Sequence, residues 1–136
     1  MTLKARRLLT VTTAVAFGTA DLVQKATAGP SLQHERSALA LALMALVALG
    51  LLVLVPRIPW TPVAVGAGVA AGGTIGNLVS LLVWSGGVPD PLVAHVASGE
   101  IAFNLADVFV LGGDALLLCA AAVYALRHGD RPRLPV

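Results

Sequence analysis

Long apolar runs constrain this chain more than any other feature of its sequence. Ala38 to Val55 has no polar side chain, and Val63 to Trp84 has only three. A third run spans Phe103 to Leu126, and a weaker, threonine-rich run extends from about Leu8 to Gln24. Each is long enough to cross a hydrocarbon core of about 30 Å, since a helix rises about 1.5 Å per residue. With 57% hydrophobic and 12% charged residues, the chain is expected to form an all-α membrane protein, a four-transmembrane-helix bundle.

The basic residues indicate how such a bundle lies in the membrane. They flank the apolar runs and form no stripe, which argues against a nucleic-acid surface. Lys25 and Arg36 fall on one side, together with most of the acids. By the positive-inside rule we expect both termini in the cytoplasm, with one transmembrane domain over residues 1–126 and a cytoplasmic tail over 127–136. The other seven of the nine basic residues would face the cytoplasm: Lys4, Arg6, Arg7, Arg57, Arg127, Arg131 and Arg133.

The first run allows a second interpretation. "KARRLLTVTTAVAFGTADLVQKATAG" has a basic start, an apolar stretch and an A-x-A site at Ala26 to Ala28, the pattern of a cleavable signal peptide. Asp21 and Lys25 favour a retained helix instead, because a charged pair at i,i+4 is unusual just before a cleavage site.

The third run contains small residues at a regular interval. Gly68, Gly72, Gly76 and Ser80 recur every four positions, and this spacing lets another helix approach closely. We interpret the stripe as a packing seam. Asn77 lies beside it, so its amide is expected to be held rigidly in a tightly packed bundle.

The remaining polar residues fall at one level of the predicted bundle. Asp21 is near the outer end of the first run, Asp90 lies between two prolines in the outer loop, and Asn104 and Asp107 open the last run. Two adjacent carboxylates could share one proton, one acting as a base towards water and the other donating to a carbonyl. The alternative is that Asp90 is a solvated loop acid and Asp107 is simply favoured by the helix dipole.

Two further polar residues lie within the last run. Asp114 falls near its middle, about 10 Å below Asp107 by the helix rise, and we expect it to be neutral and hydrogen-bonded to a hydroxyl such as that of Thr74 or Thr13. Cys119 is the single cysteine, so no intramolecular disulfide is possible. We expect it to face lipid or to fill a packing gap.

Three segments resemble the lipoprotein signal peptidase (signal peptidase II) family, four-helix aspartic endopeptidases of the bacterial plasma membrane. "DLVQK" at 21–25 is similar to the family's D-x-x-x-K, "GGTIGNL" at 72–78 to its G-G-A-x-G-N-L, and "FNLAD" at 103–107 to its F-N-x-A-D. They occur in the family's order, and the resemblance spans roughly residues 8 to 126.

The resemblance implies a function and a set of site residues. The reaction would be removal of the signal peptide from a diacylglyceryl-modified prolipoprotein, on the outer side of the plasma membrane, with no metal or cofactor. The catalytic pair carried over from the family is Asp90 and Asp107. The supporting or substrate-binding residues carried over are Asp21, Lys25, Asn77 and Asn104.

The chain also departs from the family pattern. After "GNL" and one hydrophobic residue the family has Asp-Arg, whereas this chain has Ser80 and Leu81, and Pro91 follows Asp90 where the family has phenylalanine. The twelve-residue link between the first two runs is too short for the family's outer β-structured cradle. Two alternatives therefore stay open: an impaired paralogue that binds lipidated peptides without cleaving them, and a small membrane carrier or assembly protein with a proton path through Asp107 and Asp114.

Overall fold

The computed structural model describes residues 1–28, 32–97 and 99–128 and contains four α-helices within them. The last part of the expected tail, residues 129–136, lies outside the described residues, and with it two of the basic residues counted above. The helices are α1 (Leu3–Thr27), α2 (Ala38–Val53), α3 (Thr61–Val83) and α4 (Leu105–His128). A short 3-10 helix, Val55–Arg57, joins α2 to α3.

Three of these helical segments are long and apolar enough to cross a membrane: Ala38–Arg57, Thr61–Val83 and Leu105–Arg127. The fourth expected span, α1, has comparable length but carries more charge, and four of its polar side chains point inward. Arg6, Thr10, Asp21 and Lys25 are all buried. The helix therefore turns a polar stripe towards the protein rather than presenting a uniformly apolar surface.

Helix α3 is central and packs against the other three helices. Its glycine stripe forms the seam with α1: a Cβ atom added at Gly68 would lie 2.6 Å from the Cβ of Thr13, and one at Gly72 would lie 2.8 Å from the carbonyl oxygen of Ala14. On another side, a Cβ atom added at Gly113 of α4 would lie 2.8 Å from the Cα atom of Ala70 in α3. The predicted packing seam is confirmed, and its partner is α1.

The expectation of an all-helical chain is wrong in the connecting segments. Two antiparallel pairs are present, β1 (Leu32–His34) with β2 (Val88–Asp90), and β3 (Leu92–Val96) with β4 (Gly99–Phe103). The short link between α1 and α2 does not build a whole cradle, but it supplies one strand that pairs with the outer loop. Strands rather than irregular loop form there because "LVAHV" and "GEIAF" are short β-prone segments joined through Gly99, which has a positive φ of 139°.

The two ends of the bundle differ in character. At one end Arg6 donates from Nε to the carbonyl oxygen of Pro56 (2.8 Å), and the Arg127 guanidinium lies over the Trp60 ring, 5.5 Å from its centroid. The strands lie at the other end, next to the carboxylates of Asp21 and Asp107. Arg6 and Arg127 are thus separated from the acid-rich site by the length of the helices.

Candidate active site

The ammonium group of Lys25 is the centre of a buried polar cluster between α1 and α3. It donates to Asp21 Oδ2 (2.7 Å), Asn77 Oδ1 (2.8 Å) and Ser80 Oγ (3.0 Å). Both members of the Lys25–Asp21 ion pair have fully buried side chains. Three acceptors match the three N–H bonds of an ammonium, so the buried charge is both paired and fully hydrogen-bonded.

Ser80 occupies the position at which the family pattern has aspartate. Its hydroxyl donates to the Gly76 carbonyl oxygen (2.7 Å) while accepting from Lys25. The substitution therefore keeps an oxygen acceptor for the ammonium but removes one negative charge. Asp21 provides the only carboxylate that Lys25 contacts among the residues the structure describes.

Two hydrogen bonds connect this cluster to α4. The backbone N–H of Ala106 donates to Asp21 Oδ1 (2.8 Å), and the amide of Asn77 donates from Nδ2 to Asp107 Oδ1 (3.1 Å). The first satisfies a backbone N–H in the opening turn of α4, which has no partner within its own helix. The second holds one oxygen of a half-buried carboxylate.

Asn104 and Asp107 meet through a reciprocal cap at the start of α4. The Asp107 N–H donates to Asn104 Oδ1 (3.1 Å), and the Asn104 N–H donates to Asp107 Oδ2 (3.2 Å). This is the arrangement of a capping box, with an aspartate in place of the usual glutamate. Asn104 therefore precedes the helix, which begins at Leu105, and caps it.

The same asparagine reaches Asp90 at the end of β2. Its Nδ2 donates to Asp90 Oδ1 (2.5 Å) and to the Pro89 carbonyl oxygen (3.3 Å). Asp90 is only 3% exposed, so it is not a solvated loop acid. Asn104 thus contacts both candidate carboxylates, one through its side-chain amide and the other through its own N–H.

An open groove of about 460 Å³ runs beside Asp107. Apolar side chains of α2 and α4 form its walls, with Thr74, Asn77 and Asp107 also lining it and Arg36 contributing the one basic side chain. The wall residues are Leu43, Met44, Val47, Val110 and Leu111. An apolar chain with a polar group at one end fits this combination of surfaces.

All six residues selected from the sequence are brought together by these contacts, and the structure adds two that the sequence patterns did not indicate. His34, on β1, contacts Asp90 Oδ2 through Nδ1, and Arg36 lines the groove. Both lie in the short link between α1 and α2. Only the alternating pattern of a β-strand could have indicated these two residues from the sequence, and a strand of three residues is too short to show that pattern.

Asp114 corrects an expectation. Its side chain is exposed on α4 and is not bonded to a hydroxyl of the bundle, since Thr74 donates instead to the carbonyl oxygen of Ala70 (2.9 Å). The reason is geometric: the polar residues of α1 and α3 that could reach α4 lie near its first turn, two turns away. Cys119 is exposed on the same helix, as expected.

The fold and site define a class: a small helical membrane protein with hydrogen-bonded carboxylates gathered at one end of its bundle. The family model of signal peptidase (SPase) II matches residues 8–123. The chain therefore belongs to the signal peptidase II family, which supports a lipoprotein signal peptidase role in general and implies an aspartic peptidase. Searches of curated proteins and of solved structures gave no match.

Proposed function

We propose that this protein is a membrane aspartic endopeptidase that removes signal peptides from diacylglyceryl-modified prolipoproteins, with Asp90 and Asp107 as its catalytic pair. Family membership supports the general role. The observation that carries the residue assignment is that Asn104 contacts both carboxylates, which keeps Asp90 on β2 and Asp107 on α4 in one hydrogen-bonded unit.

The chemistry follows from placing two carboxyl groups in one site. In the proposed reaction one carboxylate takes a proton from water while the other, carrying a proton, donates to the scissile carbonyl. Water then attacks the carbonyl carbon, and the proton passes to the leaving amine as the C–N bond breaks. Asn77 and Asn104 donate to the carboxylates and hold them in place throughout.

The groove supports the same substrate class. Its apolar walls suit the hydrocarbon of a lipid-modified residue, and Asp107 lies at its lining, beside the peptide that such a residue would present. Arg36 supplies donors at the same groove, where a peptide or ester carbonyl of the substrate would accept them.

The proposed setting is the bacterial plasma membrane, with α1 as a fourth, retained span, both termini cytoplasmic and the site outward. The distribution of basic residues supports this orientation, and the burial of Asp21 and Lys25 supports retention of α1. Mass spectrometry of the membrane-extracted chain should find α1 present, whereas a mature N-terminus at Gly29 would contradict retention. A reporter fused after Val136 should be active only in the cytoplasm, and activity outside the cell would overturn the orientation.

The decisive experiment uses the purified protein in detergent with a prolipoprotein in lipidated and unlipidated forms. Cleavage just before the modified cysteine, dependent on lipidation and lost in the Asp90→Asn/Asp107→Asn double variant, is the expected result. Cleavage that persists in the double variant would overturn the catalytic pair.

Binding of the lipidated substrate without cleavage would instead establish the impaired-paralogue alternative. The observation that favours this second function is the replacement of the family's Asp-Arg by Ser80 and Leu81. The carrier alternative gains less from the structure, because the exposed Asp114 does not lie among the buried polar groups that connect to Asp107.

A further inference from the structure

Asp90 has a neighbour that neither the family pattern nor the proposed reaction accounts for. The His34 imidazole contacts Asp90 Oδ2 through Nδ1. Asp90 is 3% exposed and the His34 side chain 55% exposed, so the imidazole lies between the carboxylate and the surroundings. The other carboxylate oxygen, Oδ1, accepts from Asn104, and the two oxygens of Asp90 therefore have different, dedicated partners.

The strand register explains why this contact forms. In the β1–β2 pair, His34 lies opposite Val88 and Leu32 lies opposite Asp90. His34 and Asp90 are thus diagonal neighbours, which lie on the same face of an antiparallel pair and within reach of a long or aromatic side chain. The contact follows from the pairing of the two strands and does not depend on an accidental loop position.

The entry to β2 is also shaped to accept β1. Gly87 has a φ of 109°, a conformation that favours glycine, and a Cβ atom there would lie 2.5 Å from the carbonyl oxygen of His34. A side chain at position 87 would push β1 away from β2. This glycine is an observation independent of the side-chain contact, and it keeps the His34 backbone close to the strand that ends in Asp90.

The second hairpin supplies an internal comparison. His95 Nδ1 lies 3.0 Å from Glu100 Oε1 across the β3–β4 pair, but both side chains are largely exposed, at 79% and 65%. An exposed pair of this kind contributes little. The His34 pair differs because its acceptor is a buried carboxylate of the proposed catalytic pair.

We propose that His34 is a positioning residue for Asp90. Its Nδ1–H donates to Oδ2 and fixes the rotation of the carboxyl group, so that Oδ1 remains on Asn104 and the group keeps its orientation towards Asp107 and the attacking water. The inference rests on the proposed function. It gives the α1–α2 link a role in that function, because the link places the Nδ1–H donor of His34 next to the catalytic pair.

The kinetic test compares His34→Leu, which removes the donor, with His34→Asn, whose amide can place an N–H near the position of Nδ1. His34→Leu should lower kcat by about 10- to 100-fold through misplacement of a reacting group, with KM unchanged within about 2-fold. His34→Asn should restore kcat to within about 3-fold of the wild type. His95→Leu is the matched control and should retain wild-type rates. Wild-type kcat in His34→Leu would overturn the inference, as would an equal loss in His34→Leu and His34→Asn accompanied by lower thermal stability.

A second measurement keeps the inference separate from the proposed function. In micelles, the ¹⁵N NMR resonance of His34 Nδ1 should move on Asp90→Asn, while that of His95 should stay in place. A wild-type protein that cleaves nothing would overturn the peptidase proposal, yet a moved His34 resonance would still support the contact. A His34 resonance unchanged by Asp90→Asn would overturn the contact whatever the activity.

Discussion

Helix α4 carries two aspartates two turns apart, and they have opposite surroundings. Seven residues correspond to nearly two full turns, so Asp107 and Asp114 project from the same side of the helix. Asp107 is half-buried and accepts hydrogen bonds from Asn77 and from the N–H of Asn104. Asp114 is exposed, with the exposed apolar side chains of Leu111 and Leu118 on either side of it.

The difference shows that position along a helix decides the environment of an acid more than the helix face does. At the first turn of α4, N–H groups without helical partners and the polar ends of α1, α3 and β2 supply donors. In the middle of α4, backbone groups bond within the helix, and the neighbouring side chains are apolar. Among the described residues, an acid there has no comparable donors.

The largest expected effect comes from the paired carboxylates. Asp107→Asn or Asp90→Asn keeps the side-chain volume and one acceptor oxygen but removes the ability to take a proton, so each should lower cleavage by about 10³-fold or more while the protein stays folded in the membrane. The two losses should not add, because the pair fails when either member fails. If Asp90→Asn cleaved at the wild-type rate while Asp107→Asn was inactive, a single-acid mechanism would replace the pair.

The second-largest effect is expected from the buried Lys25–Asp21 ion pair, which lies next to the first turn of α4. Lys25→Met removes the cation from the buried cluster and leaves the Asp21 carboxylate unpaired, which should destabilise the protein by about 3 kcal/mol. The free energy of unfolding in mixed micelles measures this loss. The Lys25→Met/Asp21→Asn double variant, which lacks both charges of the pair, should recover part of it, and a single variant as stable as the wild type would show that the ion pair contributes nothing.

A smaller effect on stability is expected from substitutions at two adjacent glycines of α4. Gly113→Ala places a methyl group against the backbone of Ala70, and because backbone cannot move as a side chain can, it should cost about 1–3 kcal/mol. A Cβ atom at Gly112 meets nothing within 4 Å, so Gly112→Ala is the matched control and should not destabilise. Thermal unfolding in detergent compares them. Equal melting temperatures would contradict the close α3–α4 approach.

The smallest effect is expected at Asp114. Asp114→Asn changes an exposed side chain that is remote from the hydrogen-bonded cluster, so kcat should remain within about 2-fold of the wild type, against the loss expected at Asp107. The assay is cleavage of the lipidated substrate. A loss approaching that of Asp107→Asn would contradict the separation of Asp114 from the reacting groups.

The sequence predicted the helices and the cluster well for physical reasons that can be stated. Apolar runs and the four-residue glycine repeat are local patterns, and they located α2, α3 and α4 and the packing seam on α3, though not the helix that packs against it. The roles of the six site residues came from the resemblance to the family, and the structure supplies their hydrogen-bond partners: Asp21, Lys25, Asn77, Asp90, Asn104 and Asp107.

Other features depended on contacts between distant segments. The pairing of Leu32 with Asp90 joins positions in two different loops, and a three-residue strand has too little pattern to predict. The contact of His34 depends on that pairing, and so was missed. Asp114 was expected to be hydrogen-bonded within the bundle, but it is exposed. Helical spacing predicts the side of α4 from which Asp114 projects, but it does not predict which donors lie within reach.

The glycine stripe of α3 also affects how α1 is aligned along α3. A groove that repeats every four residues would accept α1 almost equally well after a slide of four residues, about 6 Å along the axis. The stripe ends at Ser80, whose hydroxyl accepts from Lys25 beside Asn77. A slide in either direction would withdraw the ammonium from these acceptors and leave a buried charge unsatisfied. The shape of the stripe alone allows several alignments of α1 along α3, and the hydrogen bonds of Lys25 select one of them.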